Sequence, residues 1–413
     1  MKNDANPEFS MPLFVLTGTY NSKNKGDAAM QISTAQELRK RFPNARIVLH
    51  TPFPDLDRPF YPNMEILKSS RRRLIFGTLQ ILRAALYRRF GILGNDEIRT
   101  LHQADAVIDL SGDMMTESYG PHVAYSHFIP LLITLALGRP LMLCAQSIGP
   151  FKWTMPLARF IFDRTDLITT RDEISSAYLA KHHLGRTVAE TADMAFLLEP
   201  VPDERVNEIL KLESLSLGGR KMLGVSVSGL IEQHYRRRNP NAASLDFDGL
   251  MAGELDSIID QLDVDILFIP HVTGPTSIKD DRIAAEKVMN KMNRSDRAFS
   301  LRGDYRPDEL KGVISRLWMH LGARMHASIG AVTTSVPVAA IAYSHKTPGV
   351  MKQFGLDPYV VDIAEFGRDD LAKAVCSLAA DRSTVTERLR MKLAPLRQKA
   401  NDNVNLAVNH FSK

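Results

Sequence analysis

The fold is decided by the stretch Leu13-Phe14-Val15-Leu16-Thr17-Gly18 together with the residues that follow it. Apolar and β-branched residues that run into a glycine predict a short buried strand. Residues 28–42 then carry apolar side chains at helical spacing, and residues 46–50 are again strand-like. A strand, a helix and a second strand in this order are typical of a parallel βαβ unit.

The same alternation continues along the chain and then begins again after Pro200 and Pro202. Since 413 residues exceed what one hydrophobic core usually supports, we predict two α/β domains in tandem. The first covers residues 1–203 and the second residues 204–380, and a helical segment at 381–413 is expected to pack back on the first domain. Ligands of such sheets bind beyond the carboxyl ends of the strands, so we expect the site in a cleft between the two facing domains.

The individual elements follow from the local patterns. Further strands are predicted at residues 106–110, 140–146, 167–170, 222–227, 265–270, 298–301, 318–321 and 336–342. Further helices are predicted at residues 125–137, 155–164, 173–181, 204–212, 250–261, 281–292 and 306–315.

Composition excludes several classes of protein. Hydrophobic residues make up 44% and charged residues 24% of the chain, which is typical of a globular protein and not of a disordered one. Only Cys144 and Cys376 are present, so a disulfide framework or a zinc finger is excluded. The first residues do not form a secretory signal, and the longest apolar run, 128–137, is about half of the roughly 20 residues that a membrane span needs. We therefore expect a cytoplasmic protein.

The candidate binding residues of the first domain all follow predicted strands. Asn24, Gly26 and Asp27 form a turn before a helix, where backbone N–H groups with Lys23 and Lys25 could approach an anionic ligand. The alternative for Asp27 is an ordinary helix cap. The other candidates are Asp113, Gln146 and Arg171.

These three side chains have different chemistry. Asp113 follows a strand and could bind sugar hydroxyls or accept a proton, although a turn aspartate is the competing interpretation. Gln146 ends the strand at 140–146 and is expected to line the cleft or to stabilise a turn. Arg171 carries a planar guanidinium suited to phosphate or carboxylate, and a surface salt bridge is its alternative role.

In the second domain the sharpest pattern is Arg324-Met325-His326, directly after the strand at 318–321. It places a fixed cation and a titratable imidazole at one strand end. His271 ends another strand and is either a ligand contact or a turn residue. Lys346 follows the strand at 336–342 and adds a further cation. No HExxH, GxSxG or CxxC pattern occurs, so the sequence gives no support for a metal site, a nucleophile elbow or dithiol chemistry.

Taken together, these segments resemble the polysaccharide pyruvyl transferase family. The resemblance covers about 320 residues. It is carried, in order, by Asn24-x-Gly26-Asp27, Ala104-Asp105-Ala106-Val107-Ile108, Gln146-Ser147-Ile148-Gly149-Pro150, Arg171-Asp172-x-x-Ser175, Gly224-Val225-Ser226-Val227-Ser228, Ile269-Pro270-His271, Arg324-x-His326 and Tyr343-x-x-Lys346. Ser111-Gly112-Asp113 departs from the glycine pair or triple that this family usually carries after the third strand.

The resemblance implies two Rossmann-like domains facing a cleft, as in GT-B glycosyltransferases. It also implies transfer of a pyruvyl group from phosphoenolpyruvate to two hydroxyls of a sugar, which forms a ketal and releases phosphate. The acceptor would be a precursor of a bacterial exopolysaccharide, capsule or cell-wall polymer, either free or linked to a lipid. The first domain would hold the acceptor and the second the phosphoenolpyruvate.

Roles for the candidate residues follow from that reaction. We expect His326 to act as acid and base, Arg324 and Arg171 to hold the donor with Lys346 in reserve, and Asp113 to orient or deprotonate the acceptor. No step demands a cofactor or a metal, because phosphoenolpyruvate is itself the donor.

Two other functions are compatible with the sequence. One is a GT-B glycosyltransferase with a nucleotide-sugar donor, which would place an acidic residue on the ribose; no convincing pattern for it occurs in the second domain. The other is a catalytically silent scaffold at the membrane surface.

The segment 68–94 contains six arginines among apolar residues, and the stretch from Arg58 to Arg99 has an excess of six basic residues over acidic ones. The whole chain has an excess of only five, so its basicity is local. The pattern resembles a basic amphipathic helix on an anionic membrane, which would place the protein peripherally at the inner face. A solvated helix is the alternative. No nucleic-acid partner is expected, since no nucleic-acid module is recognisable.

Overall fold

The computed structural model describes residues 11–61, 63–70, 74–239, 246–343 and 346–411, with the backbone alone at 74, 238 and 346. The described residues form two compact units. Unit 1 consists of those within Met1–Asn21, Met30–Met194 and Lys399–Lys413, and unit 2 of those within Ser22–Ala29 and Ala195–Gln398.

Unit 1 contains a seven-stranded parallel sheet with the strand order β3-β2-β1-β4-β5-β6-β7. The strands are β1 (Leu13–Thr17), β2 (Arg46–Thr51), β3 (Glu65–Lys68), β4 (Ala106–Asp109), β5 (Leu141–Gln146), β6 (Leu167–Thr170) and β7 (Val188–Glu190). The helices of this part of the chain are α1 (Lys25–Arg41), α2 (Pro54–Asp57), α3 (Leu74–Phe90), α4 (Asp96–Gln103), α5 (Pro121–Leu137), α6 (Met155–Phe162) and α7 (Glu173–Lys181).

The sheet of unit 1 is buried because its central strands are apolar except at their last residues, Thr17, Asp109 and Gln146. All residues of β1, β4 and β5 are buried, as a parallel sheet covered by helices requires. Helix α5 shows how the local sequence sets an element: Pro121 occupies its first turn, and Gly138 adopts a left-handed conformation at its carboxyl end. Phe128 of this helix packs in the core with Phe151 and Phe162.

Unit 2 repeats the topology with six parallel strands in the order β10-β9-β8-β11-β12-β13. The strands are β8 (Lys221–Ser226), β9 (Val264–Phe268), β10 (Ala298–Ser300), β11 (Met319–Gly322), β12 (Val338–Ala342) and β13 (Val360–Asp362). The helices are α8 (Asp203–Leu212), α9 (Gly229–Arg238), α10 (Phe247–Leu262), α11 (Asp281–Met289), α12 (Pro307–Ile314), α13 (Met325–Val332), α14 (Lys346–Phe354), α15 (Asp370–Ala380) and α16 (Arg382–Phe411).

The boundaries of the units differ from the expected ones in two places. Unit 1 gives way to unit 2 after Met194 rather than at residue 203, and the short segment Ser22–Ala29 belongs to unit 2. Helices α1 and α16 each begin in unit 2 and end in unit 1. The end of α16 is held within unit 1 by Asn403, whose Oδ1 accepts hydrogen bonds from Thr169 (2.5 Å) and Thr191 (2.8 Å).

In both sheets the strand order reverses beside the first strand, between β1 and β4 in unit 1 and between β8 and β11 in unit 2. Such switch points leave a crevice at the carboxyl ends of the strands, where open α/β sheets bind their ligands. Among the described residues, no helix is both long and apolar enough to cross a membrane.

Candidate functional site

Unit 2 brings together six of the predicted residues at the carboxyl ends of its strands. His271 follows β9, and Arg324 and His326 follow β11. The turn containing Asn24, Gly26 and Asp27 joins them, since the Lys25 N–H donates to the His271 carbonyl at 2.9 Å and the Thr273 N–H to the Lys23 carbonyl at 3.0 Å. The first motif of the chain therefore contributes to the site of the second unit.

Arg324 is held by the fully buried Asp281. Its Nε donates to Oδ2 at 3.1 Å and its Nη2 to Oδ1 at 2.5 Å, which is a bidentate pair. The same carboxylate accepts hydrogen bonds from the backbone N–H groups of His271 (3.1 Å) and Val272 (2.9 Å). Burial disfavours the charged guanidinium, but Asp281 and then Tyr343 outweigh that effect and raise the pKa of Arg324. The site therefore contains a permanent cation in one orientation.

His326 lies against the backbone of Gly26. A Cβ atom at position 26 would overlap the imidazole ring of His326, so only glycine allows this approach. His326 itself is half-buried in the first turn of α13. The requirement for glycine in the first motif thus comes from a side chain 300 positions later in the sequence.

Lys25 is fully buried, and its Nζ lies 2.6 Å from Oδ1 of Asp304. Asp304 also pairs with Lys23 and accepts a hydrogen bond from the Thr273 hydroxyl at 2.8 Å. Burial lowers the pKa of Lys25 to about 8, although Asp304 opposes the shift. The ammonium is therefore still largely protonated at neutral pH.

Four side chains with basic nitrogens line one cavity of unit 2: Lys25, His271, Lys311 and His326. The rest of its lining is apolar or glycine. Burial lowers the pKa of Lys311 to about 7, and its ammonium donates a hydrogen bond to the Leu198 carbonyl. Burial also lowers the pKa of His271 to about 3, so this imidazole is neutral near pH 7. A cavity of this composition suits an anionic ligand with a small apolar part.

Asn24 and Asp27 stabilise the turn itself. Oδ1 of Asn24 accepts from the Gly26 N–H at 3.1 Å, and its amide donates to Asp27 Oδ1 at 2.9 Å. Helix α1 begins at Lys25, three residues earlier than predicted, so Asp27 lies in its first turn and is not the cap.

The other three candidates of the first domain, which are Asp113, Gln146 and Arg171, lie in unit 1. Asp113 accepts a hydrogen bond from the Tyr119 hydroxyl at 2.8 Å. Gln146 is buried and its amide donates to the Asp109 carbonyl at 2.9 Å. Both contacts fit a role in positioning the loops at the strand ends of this sheet.

Arg171 is buried in unit 1, and its Nη1 lies 2.6 Å from Oδ2 of Asp193. Its Nε donates to the Ser147 hydroxyl at 2.9 Å. The alternative to ligand binding was a salt bridge, and an ion pair is observed, although it is buried rather than at the surface. Its contact with the donor stays a prediction. Lys346 begins α14, but its side chain lies outside the described residues, as do Ser344 and His345.

Sequence reasoning missed Asp281, Asp304 and Lys311 as parts of the site. The sequence shows Asp281 only as the second of two adjacent aspartates, Asp280 and Asp281, after the strand β9. Lys311 carried a signal that could have been read, because its neighbours at helical spacing, Pro307 and Ile314, are apolar and predict a buried face. Asp304 gave no local signal.

The sequence is similar to that of known proteins. Residues 24–345 match the family described as polysaccharide pyruvyl transferase. The amylovoran biosynthesis protein AmsJ of Erwinia amylovora is 24% identical over 276 residues, which are 64% of this chain and 62% of that protein. The chain therefore matches less than two thirds of the length of this relative.

Two solved structures share the fold. A putative UDP-N-acetylglucosamine 2-epimerase from Listeria monocytogenes superposes with a TM-score of 0.62 at 10% identity, covering 97% of each chain. A glycosyltransferase from Rickettsia africae gives a TM-score of 0.60 at 9% identity over 97% of this chain and 99% of its own. At this identity the likeness concerns the fold alone, and it confirms the expected pair of Rossmann-like, GT-B-type units.

Proposed function

The chain belongs to the polysaccharide pyruvyl transferase family, and from that premise we propose that it transfers a pyruvyl group from phosphoenolpyruvate to a sugar. Two hydroxyls of a saccharide in bacterial polysaccharide biosynthesis would become a pyruvate ketal, and phosphate would be released. The observation that carries the proposal is the cavity of unit 2 lined by Lys25, Lys311 and His326. Arg324 is held by Asp281, which also binds the backbone of His271 in the cavity lining.

Phosphoenolpyruvate presents about three negative charges near neutral pH, from its phosphate and its carboxylate. Lys25 and Arg324 supply two cations in the same unit, and Lys311, with a pKa lowered to about 7, supplies a third when it is protonated. Asp281 holds Arg324 in place and Asp304 holds Lys25, and both carboxylates also reduce the local positive charge. Binding of phosphoenolpyruvate would therefore depend on geometry as well as on net charge. The apolar remainder of the cavity wall suits the methylene group of the donor.

The reaction needs a proton on the methylene carbon of phosphoenolpyruvate. His326 would donate it, which creates an oxocarbenium-like centre at C2, and the first sugar hydroxyl would attack that carbon. Cleavage of the bond between C2 and the phosphate oxygen then releases phosphate, and the second hydroxyl closes the ketal. Of the two hydroxyl protons, one replaces the proton that His326 gave and the other leaves with phosphate. Asp113 of unit 1 stays the residue predicted to orient or deprotonate the acceptor.

Mass spectrometry tests the proposal. Candidate bacterial saccharides incubated with the protein and phosphoenolpyruvate should gain the mass of one pyruvate ketal, with release of an equal amount of phosphate. His326→Ala should lower the rate by about 10² to 10⁴ fold, as expected for loss of an acid and base. The exposed His122 provides a matched control, because His122→Ala leaves the cavity unchanged.

Measurements of group transfer and of thermal stability with each donor compound separate the other candidate functions. A glycosyltransferase would transfer a hexose from a nucleotide sugar and ignore phosphoenolpyruvate. A silent scaffold would be stabilised against heat by neither compound. Ketal formation by the His326→Ala variant at the wild-type rate would contradict the role of His326.

A further inference from the structure

Helix α3 of unit 1 exposes an unusual number of large apolar side chains. Ile75 is 73% exposed, Phe76 57%, Leu79 51% and Leu82 57%. At the last residue of the helix and just beyond it, the exposed apolar side chains continue with Phe90, Ile92 and Leu93. Single exposed apolar residues are ordinary, but a contiguous set of this size marks an interaction surface.

The exposed side chains share one face of the helix. At 100° per residue, the exposed Ile75, Leu79 and Leu82 and the partly exposed Leu86 fall within a narrow arc, and Phe76 lies at its side. The opposite side is buried: a Cβ atom at Gly77 would overlap Ile129 of α5, and Ala84 is fully buried. Helix α3 therefore packs against α5 and α4 through Gly77 and Ala84 together with the partly buried Ile81 and Tyr87, and it turns Ile75, Leu79 and Leu82 away from the unit.

Basic residues flank this apolar face. On the same helical projection Arg83 lies on one side of the arc and Arg89 on the other. From residue 66 to residue 95 the sequence contains no carboxylate at all, while it contains seven basic side chains. An apolar centre between arginines, in a segment of sequence without acidic residues, matches the boundary between lipid headgroups and acyl chains.

We propose that α3, with residues 90–93, is a docking surface for an anionic membrane. The helix would lie in the plane of the interface with Ile75, Leu79 and Leu82 inserted and with the arginines at the level of the phosphates. Nucleic acid would satisfy the arginines but would leave the apolar row exposed to water. A second copy of the chain would bring the same arginines face to face, and like charges disfavour such a contact.

Membrane docking goes beyond the proposed activity and does not depend on it. If the acceptor sugar is carried on a lipid, the surface would bring the protein to its substrate, and only this consequence rests on the proposed function.

Co-sedimentation of the full chain with vesicles tests the inference. The protein should bind vesicles of phosphatidylglycerol and phosphatidylcholine at low salt and bind pure phosphatidylcholine far more weakly. The variant Ile75→Gln/Leu79→Gln/Leu82→Gln should lose at least about tenfold in partition, because it removes the inserted surface without changing charge. Leu212→Gln is the matched control, since Leu212 is 70% exposed on α8 of unit 2.

A second variant isolates the electrostatic part. Arg83→Gln/Arg89→Gln should lower the affinity for anionic vesicles about fivefold for each arginine at low salt, and much less at high salt. Circular dichroism of both variants serves as the control for folding, and both spectra should match that of the wild type. The inference is overturned if the wild type ignores anionic vesicles, if the triple glutamine variant binds as the wild type does, or if light scattering shows a dimer that this variant dissociates.

Discussion

In the proposed active site the backbone of Gly26 lies directly against the imidazole of His326. Because no side chain fits between the α1 backbone and the imidazole, the position of His326 depends on a residue that has no chemistry of its own. A methyl group added at position 26 tests this contact, because it must displace the imidazole ring of His326.

We predict that Gly26→Ala lowers kcat by about 10² fold, the effect expected from a displacement of about 1 Å at a reacting group. Lys25 and Asp304 should remain paired, so the affinity for phosphoenolpyruvate should change less than the rate. Steady-state kinetics of phosphate release measure both quantities. Gly349→Ala is the matched control, because a Cβ atom at Gly349 would meet open space.

A substitution of Lys311 separates its effect on ligand binding from its effect on the free energy of unfolding. Burial lowers its pKa to about 7, which means that the folded protein keeps this ammonium at a cost in free energy. Lys311→Met removes the charge and keeps the apolar stem, so the free energy of unfolding should stay the same or rise.

The same substitution should raise KM for phosphoenolpyruvate by about tenfold or more, as expected for loss of a charge-assisted hydrogen bond. The exposed Lys373 serves as control, with Lys373→Met leaving KM unchanged. A lower unfolding free energy with an unchanged KM would show that Lys311 is a structural residue only.

At the scale of elements, the loop after β9 organises the site. Asp281, at the start of α11, fixes the backbone of His271 and Val272 and also the guanidinium of Arg324 after β11. One carboxylate thus joins the ends of two strands that are separated by β8 in the sheet.

We predict that Asp281→Asn destabilises the protein by about 3 kcal/mol, because it leaves the buried guanidinium of Arg324 without a charged partner. Urea denaturation gives the free energy of unfolding. The control is Asp280→Asn, which affects a partly exposed contact to Arg282 and should cost far less. Equal losses in the two variants would contradict the central role of Asp281.

The strands also show which parts of the fold can be predicted from the sequence. Central strands such as β1, β5 and β8 were predicted within one residue, because fully buried parallel strands are continuous apolar runs. The edge strands β3 and β13 were missed. They have four and three residues, and most of their side chains are partly exposed, so hydrophobic pattern carries little information there.

The candidate site was predictable to a similar degree. Arg324 and His326 could be identified because they directly follow a strand, where chain position alone places a side chain in the crevice. Asp304 could not, since its contact with Lys25 joins residues 279 positions apart and depends on the complete fold.

At the scale of the whole molecule, three buried histidines make stability depend on pH. Burial lowers the pKa of His50 to about 4 and the pKa values of His271 and His320 to about 3. In the unfolded chain these groups titrate near 6.5, so below that pH the unfolded state binds protons that the folded state does not. Stability is therefore complete above pH 6.5 and falls as the pH is lowered toward 4.

Each histidine should cost about 2 kcal/mol between pH 7 and pH 5. Urea midpoints measured across this range should fall accordingly, and His50→Gln should reduce the loss. A midpoint that stays constant from pH 7 to pH 5 would contradict the assignment of neutral, buried imidazoles.

The central claim is that the basic cavity of unit 2 binds phosphoenolpyruvate. Isothermal titration of the intact protein with phosphoenolpyruvate, and separately with UDP-N-acetylglucosamine, tests it without knowledge of the acceptor. We expect saturable binding of phosphoenolpyruvate and no binding of the nucleotide sugar. Binding of phosphoenolpyruvate should be at least about tenfold weaker in Arg324→Lys, which keeps the charge but loses the bidentate pair with Asp281 that orients it. Binding of the nucleotide sugar without any response to phosphoenolpyruvate would contradict the account.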